Sequence, residues 1–189
     1  MKPNRKEEII LKAAQLFKEK GYNAVSMRDL AQDLGIKAAS LYNHIHSKQE
    51  ILEGIIMQVA RDFTLHIHEV SPKPISAIQK LEEIIQMHID LTIQKTDFLA
   101  CMNNDWMHLE EENRANYIDM RADYETKFRE ILQEGIAAKE LKESDPEIML
   151  FSILSTLRTF YLWYAKNKNI NPNVLKKDLT QTLLQGIIV

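Results

Sequence analysis

What is scarce in this chain narrows it first. One cysteine, Cys101, stands among 189 residues, so an intrachain disulfide and any cysteine-rich zinc module are excluded, and stability must come from packing, alone or with a partner subunit. Such usage fits a reducing compartment. Five glycines and five prolines leave little punctuation for short strands and tight turns. No apolar run approaches the roughly 20 residues that span a bilayer, and the polar start Met1-Lys2-Pro3-Asn4-Arg5-Lys6 lacks the apolar stretch of a secretory signal. A cytoplasmic protein with no membrane partner is expected. Also missing are a nucleophile elbow, a phosphate loop and paired zinc histidines, so neither catalysis nor a cofactor is expected. The net charge of -3 argues against a chain coated along its length in nucleic acid.

The charge is unevenly spread, however. Residues 1–50 carry nine basic residues against six acidic ones, and the remainder carries 15 against 21. A small basic end on an acidic body suits a DNA reader with a separate sensor or dimerisation domain. Apolar residues recur at spacings of three and four along nearly every long segment, which predicts an all-α chain of about nine helices. Asn4 with Glu7 opens the first helix, which runs through Ile10, Ala14 and Phe17 and stops at Gly21. Ser26 with Asp29 opens a second, short helix that is expected to bury Met27, Leu30, Ala31 and Leu34 and ends at Gly35. A third runs from Ile36 to Ile45, and Ser47-Lys48-Gln49-Glu50 starts a long one reaching about Val70. Ser71-Pro72-Lys73-Pro74 is the strongest break in the chain and predicts a hinge nearby. The expected organisation is a DNA-binding domain of three helices over 1–50 and a helical ligand-binding and dimerisation domain over 51–189. Within the latter, helices are expected at about Ile75–Gln94, near Phe98–His108, and along the stripe Tyr117, Met120, Tyr124, Phe128, Ile131 and Gly135. Asp145-Pro146 and Asn171-Pro172 place a capping side chain before a first-turn proline and so open the last two.

Residues 26–45 meet the demands of a helix-turn-helix: a short helix, a turn at Leu34-Gly35-Ile36, and a second helix whose exposed face enters the major groove. Leu30, Ala31, Ile36, Leu41 and Ile45 hold the two helices together. Lys37, Ala38, Ala39, Tyr42, Asn43 and His44 are left facing outward. Tyr42 and His44 offer donors to phosphate oxygens, Lys48 adds a charge at the start of the next helix, and that helix's positive dipole end points the same way. Arg28 can pair with guanine, Asn43 with adenine, and the alanine methyls with thymine. The bland alternative for Tyr42 is an aromatic at the core rim.

Ala13-Ala14-Gln15-Leu16-Phe17, Gly21-Tyr22, Ser26-Met27-Arg28-Asp29-Leu30-Ala31, Gly35-Ile36 and Leu41-Tyr42-Asn43-His44-Ile45 with Lys48 together resemble the TetR family signature, over about residues 5–55. The resemblance implies a dimeric regulator that binds double-stranded operator DNA. It implies base contacts for Arg28, Ala38, Ala39 and Asn43, and phosphate contacts for Tyr42, His44 and Lys48. One position departs: Lys37 stands where the family usually has a small hydroxyl residue. A lysine cannot accept the amide hydrogen bond of a helix cap, so Lys37 is expected to reach a phosphate or simply to be solvated.

Beyond residue 55, periodicity is the main guide. Met87, Leu91, Met102, Trp106, Tyr124, Phe128 and Tyr161, with Phe98, Phe160 and Tyr164, recur on the expected helices and would suit an apolar ligand cavity, or equally an ordinary core. His88, Asn103, Arg121 and Arg158 are the candidate polar anchors. Trp106 to Tyr124 and the Asp145-Pro146 helix resemble regulators of this family that answer to CoA thioesters, so the expected effector is apolar or an acyl-CoA. Cys101, Asp105 and His108 share one helix face, but they read as ordinary polar positions and no metal site is expected. The stripes Phe151, Leu154, Leu157, Phe160, Trp163 and Leu175, Leu179, Leu183, Ile187 are broader than one internal contact needs; in the family the matching pair of helices forms the homodimer interface. The expected function is a repressor that an effector releases from its operator. The alternatives are a ligand-dependent activator and a helical interaction module that binds no DNA.

Overall fold

In the computed structural model, residues 4–189 are described; Met1–Pro3 of the polar start lie outside the described residues. Among the described residues eight α-helices follow one another: α1 Arg5–Lys20, α2 Met27–Asp33, α3 Ala38–Tyr42, α4 Lys48–Val70, α5 Ala77–Asp105, α6 Glu111–Ala137, α7 Pro146–Tyr164 and α8 Pro172–Gln185. Single 3-10 turns at Tyr22–Ala24 and Trp106–His108 account for the rest of the helical structure. Among the described residues there is no strand, only an isolated antiparallel bridge between Leu141 and Ile188. No described helix is long and apolar enough to cross a membrane.

Side chains start the helices where the sequence places caps. Asn4 and Glu7 exchange side-chain and backbone hydrogen bonds at the start of α1, and Ser26 and Asp29 do the same for α2. Asp145 and Asn171 accept from the backbone amides of Glu147 and Asn173, each ahead of a first-turn proline. Such caps contribute about 1 kcal/mol apiece by satisfying amides that a helix start leaves unpaired. Gly21 and Gly35, at φ 83° and 65°, sit in the region where a Cβ is penalised, so glycine fits the stop of α1 and the turn after α2.

Two departures concern α5 and the turn before it. The expected helices at 75–94 and 98–108 are one helix, bent at Lys95 (φ -132°, ψ 39°). Beside the bend the Thr96 hydroxyl donates to the Thr92 carbonyl at 2.5 Å, and Lys95 Nζ reaches Asp62 on α4 at 2.6 Å. A side chain bonding back into the helix ladder is a recognised cause of bending. The hinge expected at Ser71-Pro74 is instead a turn inside one compact unit, since the α4 residues before it and the α5 residues after it belong to the same unit.

That unit comprises Arg61–Thr96 and Asp119–Val189, and the other comprises the chain up to Ala60 together with Asp97–Ile118. The compact units therefore do not follow the expected division into 1–50 and 51–189, because α4, α5 and α6 each run from one unit into the other. In the first of the two along the chain, Ile9, Leu30, Leu41, Ile45, Ile51, Leu52 and Ile55 are fully buried; in the second, Ile67, Leu81, Ile85, Ile89, Phe128, Ile131 and Leu132 are. Burying each such side chain stabilises the fold by about 1.5–3 kcal/mol.

Candidate nucleic-acid interface

α2 and α3 meet at an angle fixed by a short turn. Leu34 closes α2 on Leu30, Gly35 takes positive φ, and the Ile36 amide donates to the Ala31 carbonyl at 2.9 Å. Leu30, Ala31, Leu41 and Ile45 point into the core, at 0–2% exposure, while Ile36 is half-buried. The opposite face carries Arg28, Lys37, Ala39, Tyr42, Asn43 and His44, all exposed, with Ala38 half-buried at its edge. Tyr42 keeps 48% of its surface, so its ring is not taken into the core. This face holds cations and hydrogen-bonding groups; the neighbouring carboxylate of Asp29 is committed to the amide and hydroxyl of Ser26 at 2.7 and 2.5 Å, bonds that lower its pKa.

α3 spans five residues, shorter than the ten expected, and Lys37 occupies its N-cap without a side-chain cap bond. Ser40, exposed on the same short helix, adds a hydroxyl that the sequence reading passed over; its neighbours Ala39 and Tyr42 were the available signal. Lys48 stands apart from the outward group: its Nζ donates to the carbonyls of Tyr22 and Val25, both at 2.9 Å, and desolvation lowers its pKa. The α4 start is likewise satisfied from within. Ser47 Oγ accepts the Glu50 amide at 3.0 Å, and the Glu50 carboxylate accepts the His46 amide at 2.7 Å, so the box closes one residue earlier than expected.

The candidate sensor residues divide between the two compact units. Met87, His88, Leu91, Arg121, Tyr124, Phe128 and Tyr161 lie in one, whereas Met102 and Trp106 lie in the other, where Trp106 packs on Tyr117 at 5.7 Å. α5 carries Met87, His88 and Leu91 in one unit and Met102 in the other, passing between the units after Thr96. His88 and Tyr124 come together around Phe63, with Phe128 against Tyr124 at 6.4 Å: His88 Nε2 and the Tyr124 hydroxyl are 2.8 Å apart, and the His88 ring stacks on Phe63 at 4.3 Å. Burial pushes His88 down to about 3 and raises the Tyr124 phenol; both side chains are neutral. Leu91 and Tyr161 are buried and Met87 is half-buried. Arg121 is exposed and pairs with Glu125 at 3.1 Å, to which Arg158 also reaches at 2.5 Å, so the two arginines neutralise a carboxylate of their own chain.

A surface cleft of about 630 Å³ lies elsewhere in this unit, between α5 and α8, lined in part by Glu82, Gln86, Lys176, Lys177, Thr180 and Leu184. None of the candidate sensor residues lines it. Cys101 is buried with its thiol 3.5 Å from the Ala14 carbonyl and pushed up to about 12 by burial, the opposite of the lowered pKa that favours a metal-binding thiolate. Among the described residues no cluster of three metal-ligating side chains occurs.

Known proteins fit this arrangement along the whole chain. The model for bacterial regulatory proteins of the tetR family matches residues 9–55, and that for the tetracyclin repressor-like C-terminal domain matches 74–187. The HTH-type transcriptional repressor KstR2 of Rhodococcus jostii is 24% identical over 191 aligned residues, covering 98% of this chain and 92% of the relative. The ketosteroid transcriptional regulator KstR2 of Mycobacterium tuberculosis superposes with a TM-score of 0.92 at 18% identity, covering 100% of this chain and 97% of the other. AibR, solved with isovaleryl coenzyme A and operator DNA, superposes at 0.79 with 19% identity, covering 95% and 97%.

Proposed function

The chain belongs to the TetR family of bacterial transcriptional regulators and is a DNA-binding regulator, and from that premise we propose that it is a homodimeric, cytoplasmic repressor that a small molecule releases from its operator. The observation that carries the reading is the exposed face of Arg28, Lys37, Ala39, Tyr42, Asn43 and His44 laid over the buried Leu30, Leu41 and Ile45. A rigid apolar underside holds the reading groups in place, which is what base recognition requires. Tyr42 and His44 contact phosphates, and Arg28, Ala38, Ala39 and Asn43 meet base edges. Repression is favoured by the relative KstR2, which is named a transcriptional repressor. The role is one of binding, without catalysis.

Dimerisation supplies the second half-site. Ile148, Phe151, Leu162 and Trp163 on α7 and Val174 on α8 keep 47–70% of their surface exposed, and an apolar surface of this kind on the last two helices suits an isologous interface. Two recognition helices then address grooves about one DNA turn apart, roughly 34–36 Å. The effector is apolar or an acyl-CoA, bound around Met87, His88, Leu91, Tyr124, Phe128 and Tyr161. AibR, whose structure holds isovaleryl coenzyme A, supports the thioester class. The pair of His88 and Tyr124 would have to exchange its mutual hydrogen bond for one to the ligand, and differential binding of that opened state shifts the dimer away from the operator-competent spacing.

Tyr42→Ala is expected to weaken binding to every duplex alike, because a phosphate contact carries no sequence information, whereas Arg28→Ala and Asn43→Ala change preference among sequences by about 1–3 kcal/mol at the affected base pair. A gel-shift panel against a pool of random duplexes measures both. If all three variants select and bind the same DNA as the parent, the interface lies elsewhere. Native mass spectrometry of the purified dimer tests the effector class through any small molecule that stays bound.

A further inference from the structure

Lys48 opens α4 at a position where a phosphate ligand is expected, yet its side chain turns into its own compact unit. Two of its three N–H donors go to the Tyr22 and Val25 carbonyls, both at 2.9 Å, and Nζ stands 4.1 Å from the centre of the Tyr22 ring. That ring is only 6% exposed. It meets Phe17 edge-on at 5.2 Å and stacks with His108 at 5.5 Å and 20°. Gln49, next to Lys48, donates to the His108 carbonyl at 2.6 Å, and Asp105 accepts from the Tyr22 backbone amide. Further along the same segment Asp97 pairs with Lys18 at 2.6 Å, and Cys101 lies against Ala14. Residues 97–108 are thus fastened to α1, to the Tyr22–Ala24 turn and to the start of α4.

The fastening matters because of what hangs from that turn. α3 has five residues and no side-chain cap, so its position depends on α2. The entry of α2 is in turn set by Tyr22–Val25, which Lys48 grips. We propose that Lys48 is a positioning residue and not a phosphate ligand. Together with Tyr22 and His108 it makes the segment Asp97–Leu109 a working part of the DNA-reading unit, so that residues distant in sequence from the helix-turn-helix set its grip on DNA. The proposal rests on the DNA-binding reading above and departs from the role that resemblance implies for Lys48.

The test is the affinity of the full-length protein for a labelled random-sequence duplex of about 30 base pairs, measured as a function of salt, because removing one phosphate-binding cation lowers the slope of log K against log salt by about 0.9. Lys48→Met is expected to bind roughly tenfold more weakly at every salt concentration, with the parental slope. His108→Ala, which removes no group from the outward face, is expected to weaken binding in parallel, and His108→Phe, which keeps a ring against Tyr22, to restore it. A Lys48→Met slope lower by about 0.9 overturns the proposal, as does parental binding by His108→Ala. Should Lys48→Met fail to fold, the two His108 variants decide. Tyr42→Ala separates the two readings: if it binds as the parent does, the outward face itself is misassigned, whatever Lys48 does.

Discussion

His88 is held neutral between the Phe63 ring and the Tyr124 hydroxyl. Burial is the main cause of its depressed pKa, with the charges of Arg158 and His66 adding to it, and the value falls to about 3. In the unfolded chain the imidazole returns to about 6.5. Below that pH the unfolded chain takes up a proton that the native protein refuses, so His88 contributes stability that is complete above 6.5 and drains away as pH falls toward 3, at about 1.4 kcal/mol per pH unit. His66 is lowered for the same reason and acts in the same sense; Asp105, raised by burial, acts in the opposite one. Thermal melts should therefore fall between pH 6.5 and 5.5 by roughly 2–4 °C on account of His88, and His88→Gln should flatten that fall. Parallel melting curves for the two proteins would show that His88 is not the group responsible. The residue's chemistry was legible in the sequence as a polar group beside an apolar stripe. Its partner was not, since only the packing of α5 on α6 brings Tyr124 to it, and Arg121, read as an anchor from the same kind of stripe, lies at the surface with Glu125.

At the level of elements, α3 is the weakest point, with five residues and a lysine at its N-cap. Lys37→Ser supplies the missing acceptor and should stabilise the protein by about 1 kcal/mol. If Lys37 also meets a phosphate, the same change should lower the salt slope of DNA binding by about 0.9. A higher melting temperature together with a shallower slope is the expected outcome. An unchanged melting temperature would mean that α3 gains nothing from a cap. This single position shows how far local chemistry reads directly from sequence. Asn4, Ser26, Asp145 and Asn171 announce their helices because a cap is a contact between near neighbours. The bend at Lys95 is silent in the sequence because neither glycine nor proline marks it; its cause includes a hydroxyl bonding back into the helix and an ion pair to Asp62, 33 residues away. Ser71-Pro74 misled in the opposite direction. Proline breaks a helix locally, but a boundary between compact units depends on long-range packing, which put both flanking segments on the same side.

For the whole molecule, the decisive surface is the apolar one on α7. Phe151, 70% exposed, is the most exposed large apolar side chain on that helix, and a two-fold interface through it would bury two copies of anything placed there. Phe151→Glu should therefore set two carboxylates against each other in a dry contact, at a cost of several kcal/mol, while leaving the monomer's own core intact. Sedimentation at micromolar concentration should show a folded monomer, and its DNA affinity should fall by about 10²–10⁴ because the two half-sites are no longer engaged together. A dimer of parental affinity would move the interface off α7. DNA binding carries its own salt dependence. The exposed face of each reading head presents Arg28 and Lys37, so raising salt should weaken its hold on phosphates, whereas an apolar contact between chains should respond little. Following dimerisation and DNA binding in one salt titration on the parent and on Phe151→Glu separates weaker phosphate binding from disengagement of the second half-site.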